Sequence, residues 1–127
     1  MKFIAFLLLA GTVLLTTSCE KDEIPARQKF LGSYQVNENC NSGSYTYSIN
    51  IVESATSDDG IIMQNFGNFQ STINVNATVN NENISFNVTQ DGVTVSGSGT
   101  ITGNTLTVIY QTSGGFDDNC TATCIKQ

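Results

Sequence analysis

Ile73-Asn74-Val75-Asn76-Ala77-Thr78-Val79-Asn80-Asn81-Glu82-Asn83-Ile84-Ser85-Phe86-Asn87-Val88-Thr89-Gln90-Asp91-Gly92 alternates apolar and polar side chains on either side of one break at Asn80-Asn81. A period of two carried by Val, Ile, Phe and Thr marks half-buried antiparallel strands. The break is turn chemistry, and so is the closing Asp91-Gly92. Two strands and their turns are therefore legible in one stretch.

The pattern extends in both directions. Upstream, Tyr34 and Val36 alternate with polar residues as far as Cys40, and Tyr45, Tyr47, Ile49 and Ile51 repeat it. A third run over residues 60–66 follows the turn Ser57-Asp58-Asp59-Gly60. Downstream come Val93, Val95 and Ile101 with Gly97 and Gly99 between them, then Leu106, Val108 and Tyr110, then residues 120–126. Gly103-Asn104 and Ser113-Gly114-Gly115 separate these runs, and residues 24–29 are expected to make one helical turn with Pro25 near its start.

The fold class is thus all-β. Eight short antiparallel strands must close on themselves or leave two bare edges, and closure predicts a small up-and-down barrel over residues 30–127. The expected inward set is Tyr34, Val36, Tyr45, Tyr47, Ile49, Ile51, Ile73, Val75, Ala77, Val79, Ile84, Phe86, Val88, Val95, Leu106, Val108 and Tyr110. Gly97, Gly99 and Ala77 leave room inside, while four Tyr and several Ile take it back. Tyr34, Tyr45, Tyr47, Phe86 and Tyr110 are the candidate ligand-lining residues.

Composition narrows the function classes. The chain has 127 residues, a formal net charge of −6 and no His. It is long enough for one domain. Without His it has no Ser-His-Asp or Cys-His pair and no His-ligated metal. The negative charge argues against nucleic acid, whose binding rests on neutralising phosphates. Asp58, Asp59, Asp91, Asp117 and Asp118 are read as turn residues. Glu53 and Glu82 are a conceivable carboxylate pair, but nothing in the sequence sets them face to face. Asp58-Asp59-Gly60 and Asp117-Asp118-Asn119 lack the ligand alternation of a calcium loop. Neither a metal nor a cofactor is expected, and the chain is read as no enzyme. Asn76, Asn83, Asn87 and Asn119 each begin an N-glycosylation pattern and are read as ordinary strand surface.

The amino terminus reads as an address. Lys2 precedes an apolar run over residues 3–15, too short for the roughly 20 residues of a membrane span but suited to a signal peptide. Leu15-Thr16-Thr17-Ser18-Cys19 resembles the lipobox of bacterial lipoproteins. That resemblance implies cleavage after residue 18 and lipidation of Cys19, with residues 19–29 as a charged tether. Glu20-Lys21-Asp22-Glu23 resembles the surface-export signal of Bacteroidetes-type lipoproteins and implies an outer-membrane protein exposed at the cell surface. Beyond Phe30, Lys126 is the one base against eight acids. Such a body is expected to stand off an anionic lipid surface.

With Cys19 lipidated, Cys40, Cys120 and Cys124 remain for an oxidising compartment. Cys120 and Cys124 lie four residues apart in one strand, roughly 13 Å at the strand rise, so they cannot pair with each other. In a closed meander the first and last strands are antiparallel neighbours, which brings Cys40 to Cys120. That pairing sets Val36 opposite Cys124 and Tyr34 opposite Lys126, and leaves Cys124 a buried thiol. A Cys40–Cys124 bridge is the alternative.

Phe30-Leu31-Gly32-Ser33-Tyr34 resembles the Gly-x-Trp opening of lipocalins, with Tyr in place of Trp and a much shorter body. In that family a basic side chain from the last strand covers the aromatic at the barrel floor, which implies Lys126 over Tyr34. The small lipocalin-like lipoproteins of Bacteroidetes are a closer likeness. It rests on Gly32-Ser33-Tyr34, Gly43-Ser44-Tyr45-Thr46-Tyr47 after Cys40, Asn65-Phe66, Ser96-Gly97-Ser98-Gly99-Thr100-Ile101, Gly103-Asn104-Thr105-Leu106-Thr107 and Cys120-Thr121-Ala122-Thr123. It implies a fold and a location and assigns no activity. The expected function is a monomeric binding or interaction module held to the membrane by its lipid, with a small apolar ligand or a protein as partner. One alternative is a lipocalin-like carrier of an apolar ligand. A second is a lysozyme inhibitor, since Ser96-Gly97-Ser98-Gly99 resembles the loop such inhibitors insert.

Overall fold

Strict alternation produces eight strands: β1 (Gly32–Cys40), β2 (Gly43–Glu53), β3 (Gly60–Gln64), β4 (Asn74–Asn80), β5 (Asn83–Gln90), β6 (Val93–Thr102), β7 (Thr105–Ser113) and β8 (Asp118–Lys126). In the computed structural model each pairs antiparallel with the next, and β8 returns to β1 to close the barrel. The structure describes residues 24–68, 74–115 and 117–127. The expected signal peptide, the lipidated Cys19, its charged neighbours through Glu23, and Ile73 lie outside the described residues.

The tight turns use backbone that only certain residues adopt cheaply. Asp91 and Gly92 both take positive φ, 53° and 81°, in the two-residue turn between β5 and β6, the geometry whose twist matches its flanking strands. Asn81 does the same between β4 and β5 at φ 55°.

The seam between β1 and β8 has the register expected from the cysteines. Cys40 lies opposite Cys120, Val36 opposite Cys124, and Tyr34 opposite Lys126. Cys40 and Cys120 are joined in a disulfide across the seam, with their Cα atoms 4.0 Å apart. Cys124 is free and fully buried, so the alternative Cys40–Cys124 bridge is excluded.

One end of the barrel is closed. A short 3-10 helix over Ala26–Phe30 crosses it and buries Phe30 completely. The Tyr34 hydroxyl donates to the Phe30 carbonyl at 2.8 Å, and Lys126 Nζ lies 5.9 Å from the Tyr34 ring centroid while donating to the Lys29 carbonyl. Arg27 donates to the Ser57 carbonyl and pairs with Glu53 at 3.5 Å; Lys29 pairs with Glu82 at 3.8 Å. Residues 26–29, read as tether from the sequence, are therefore part of the floor. Glu53 and Glu82 serve as its anchors, each engaged with its own cation.

Above the floor the interior is filled. Ile49, Ile51, Ile61, Met63, Val75, Ile84, Leu106 and Val108 are all buried. The inward set needs correcting at several positions. Tyr45 is 41% exposed because it stands at the barrel rim, and Val88 is half-buried near the same end. Ile61, Met63, Ile101 and Ala122 join the core, beside the Cys124 thiol expected there. The third run stops at Gln64, because Asn65 (φ 65°) and Gly67 (φ 78°) turn the chain; Phe66 between them folds back and is fully buried. Room expected beside Gly97 and Gly99 is taken up by Tyr110, Val108 and Ile84, which lie against them.

The outward strand positions carry no charged side chain. They form cross-strand pairs of amides and hydroxyls instead, such as Ser44 on Asn39, Thr89 with Thr94 and Thr100 on Asn83, each at 2.8 Å. Charge is confined to the two ends of the barrel. That confinement positions the site.

Candidate functional site

The end opposite the floor is the mouth, where β1, β3, β5 and β7 finish. Glu38 occupies the inward face of β1, two residues beyond Val36, and is only 3% exposed. Its Oε1 accepts the Tyr47 hydroxyl at 2.8 Å and the Tyr110 hydroxyl. The Gly67 amide donates to the Tyr47 oxygen at 3.1 Å, which orients that hydroxyl proton toward Glu38. Two phenols from β2 and β7 thus hold one buried carboxylate upright beneath the mouth.

Asp118, read as a turn residue, is the first residue of β8 and faces inward at 6% exposure. Its carboxylate accepts the Ser42 hydroxyl, the Ser42 amide at 3.3 Å and the Asn119 amide at 2.9 Å. The Ser42 hydrogen bond, with help from these amides, holds its pKa below the ordinary carboxylate value. The Ser42 oxygen also contacts the Tyr45 hydroxyl at 2.9 Å. Asp118 and Tyr45 form the rim above Glu38.

Between rim and carboxylate lies a cavity of about 200 Å³, lined by Glu38, Asp118, Ser42, Tyr45, Tyr110 and Thr112 together with the disulfide and the turn at Gly67 and Asn68. Of the five candidate ligand-lining residues, Tyr45 and Tyr110 face this cavity. Tyr47 is spent on supporting Glu38. Phe86 packs edge-on against Phe66 at 5.7 Å, and Tyr34 belongs to the floor. Sequence reasoning missed Glu38 and Asp118. The signal was present: Glu38 continues the parity of Tyr34 and Val36, and Asp118 that of Cys120 and Cys124.

Charge at the two ends is unequal. Glu38, Asp91, Asp117 and Asp118 lie at the mouth, and at the floor Arg27, Lys29 and Lys126 lie among Glu53, Asp58, Asp59 and Glu82. No Lys or Arg reaches the mouth among the described residues. Glu38 stands with Cys40 and Cys120 within ligating distance of one another. Both sulfurs are consumed in the disulfide, so the trio is no metal site. Ser96-Gly97-Ser98-Gly99 lies within β6 rather than in a projecting loop.

Several buried groups are held neutral by the fold. Burial, and then the Glu38 carboxylate, pushes the Cys124 thiol up to about 12 from an ordinary 9.0. Burial, and then Cys124, pushes Tyr34 up to about 12 from 10.0. Tyr47 and Tyr110 are raised further, by burial and by Glu38. A raised folded pKa gives stability that is complete below the unfolded value and lost above it. The urea midpoint is therefore expected to hold up to pH 9.0 and fall steadily toward pH 12, with Cys124→Ala removing the first part of the fall. A midpoint flat to pH 12 contradicts this reading. Asp118 acts in the opposite sense, its contribution fading as pH drops below 3.8.

No family model, curated protein or solved structure matches the chain.

Proposed function

We propose that this protein is a lipid-anchored extracytoplasmic binding module with no chemistry of its own, of the small lipocalin-like lipoprotein kind, on the surface of an outer membrane. The observation that carries the binding role is the mouth cavity over a buried carboxylate, above an interior otherwise packed with apolar side chains. A chain tethered through Cys19 leads into the floor helix, so the floor faces the lipid and the mouth faces outward. The charge distribution favours that orientation. At the floor Arg27, Lys29 and Lys126 largely offset Glu53, Asp58, Asp59 and Glu82. The mouth carries acids and no base among the described residues, so an anionic surface repels the mouth more strongly.

A carrier of a wholly apolar ligand is less well supported. Such a ligand would close over a carboxylate held by two phenols and offer it neither a donor nor a counter-charge, which is costly. An inhibitor acting through Ser96-Gly97-Ser98-Gly99 is weakened by the burial of that segment's inward side against Tyr110 and Val108.

Native mass spectrometry of the protein gently extracted from its membrane tests the reading. The expected spectrum is triacylated protein with one disulfide and a retained small molecule that leaves on denaturation. A non-lipidated species overturns the anchor. Protein that never carries a ligand, even when offered a cell extract, overturns the binding role.

A further inference from the structure

The mouth cavity narrows the ligand to one chemical class, an inference that rests on the binding role proposed above. We infer that it receives an unbranched primary alkylammonium group, entering head-first toward Glu38. The argument begins with shape. The strand register sets Cys40 opposite Cys120 and Glu38 opposite Ala122. Asp118, two residues above Cys120, therefore lies roughly 13 Å along β8 from the level of Glu38 at the usual strand rise. The cavity is a well with one carboxylate at the rim and one at the bottom. At about 200 Å³ it falls below the roughly 300–1,000 Å³ of drug-sized pockets. A slender chain of a few heavy atoms fits it.

Chemistry then selects the head group. The bottom of the well offers a carboxylate that is 3% exposed. The Tyr47 and Tyr110 hydroxyls both donate to one of its oxygens, so both are committed as donors and the pair leaves Glu38 an acceptor site. No Lys or Arg approaches it among the described residues. An anion would meet two carboxylates here, and a neutral alkyl chain would cover the Glu38 carboxylate and add no donor or counter-charge to the two phenols that hold it. A hard metal ion needs six or more oxygen ligands, and the Asp118 oxygens are already engaged by Ser42 and Asn119. An ammonium brings three donors and a charge. Its stem then passes the Tyr45 and Tyr110 rings and the disulfide, which are the apolar part of the wall. The acids at the mouth, unopposed by any base there, draw cations toward it.

The test is titration of the full lipidated protein in detergent with n-butylammonium, followed by tyrosine fluorescence. The chain has no Trp, and two of its four Tyr line the well. Saturable binding is expected, with butan-1-ol weaker by about tenfold or more, the usual scale for a hydrogen bond to a charged group. Glu38→Gln keeps an oxygen for both phenols and should weaken butylammonium by about tenfold, while Glu82→Gln at the floor changes nothing. Should Glu38→Gln fail to fold, nuclear Overhauser contacts from the butyl methylenes to the Tyr45 and Tyr110 rings locate the ligand in the unaltered protein. Equal binding of butylammonium and butan-1-ol, or absence of those contacts, overturns the inference. Nα-acetyl-lysine methylamide distinguishes a free amine from a lysyl side chain as the source, since only the latter reading requires it to bind. If butylammonium fails while native mass spectrometry finds another retained molecule, the ammonium inference falls and the binding role stands. If both are empty, both fall.

Discussion

Replacing Cys40 and Cys120 together by Ser is expected to lower the thermal midpoint by about 20 °C, read by far-UV circular dichroism. The disulfide closes a sequence separation of 80 residues. In the chain-entropy model a loop of that size is worth about 4.5 kcal/mol. A body of about 100 residues unfolds with an entropy near 0.2 kcal/mol/K, which converts that figure to the stated shift. The position makes the effect large. Every other neighbouring pair in the barrel is consecutive along the chain, whereas β1 and β8 meet only after the whole meander has formed. Their ladder carries the greatest closure cost, and the bridge lies at its mouth end. Cys124→Ala, in the same strand but unbridged, should shift the midpoint much less. A double variant within a few degrees of the parent would show that the β1–β8 ladder closes the barrel unaided.

The seam also shows how far the sequence could be read. Eight strands, their turns and the disulfide followed from side-chain parity and from one constraint, that a meander with no bare edge must close. Tyr34 opposite Lys126 followed from the same register, and the lipocalin resemblance implied the stacking, which is present at 5.9 Å. What parity did not convey was height in the barrel. Tyr45 and Tyr47 share one face of β2, yet one is 41% exposed at the rim and the other 7% exposed beside Glu38. Height depends on where the strands end and on how the rows tilt, which no single strand records. Glu38 was legible by parity and was passed over, because an acid in an alternating strand is ordinarily a solvent-facing residue. It becomes an inward residue only once Tyr47 and Tyr110, from distant strands, are seen to converge on it. Phe66 was hidden for another reason. It follows a positive-φ Asn, and its burial arises from a turn that ends the alternation.

Gly97→Ala is expected to destabilise the barrel by about 3 kcal/mol, at the upper end of the usual cost of overpacking, and to loosen the site with it. A Cβ at Gly97 would press on the Ile109 carbonyl oxygen and lie 2.6 Å from Tyr110 Cβ and 2.8 Å from Tyr110 Cα. Two of these atoms are backbone, so relief requires β6 and β7 to separate. Gly97 is also flanked in register by Phe86 on β5 and Tyr110 on β7. The Phe66 ring packs against both, with centroids 5.7 Å and 4.9 Å away. The glycine therefore lets Tyr110 sit close enough to carry Phe66 on its ring while its hydroxyl holds Glu38. Gly99→Ala is the internal comparison. Its Cβ would meet Thr107 O and Val108 Cγ2 at 3.0 Å and Ile84 Cγ1 at 3.1 Å, contacts that small shifts relieve, so about 1 kcal/mol is expected. Chemical denaturation of the two variants, with tyrosine fluorescence recorded in the native baseline, separates the outcomes. Only Gly97→Ala should alter the native signal, because only that change displaces Tyr110 from Glu38. Equal stability in the two variants would mean that β6 and β7 part freely, and that the close approach beneath the mouth is not what fixes Tyr110 in place.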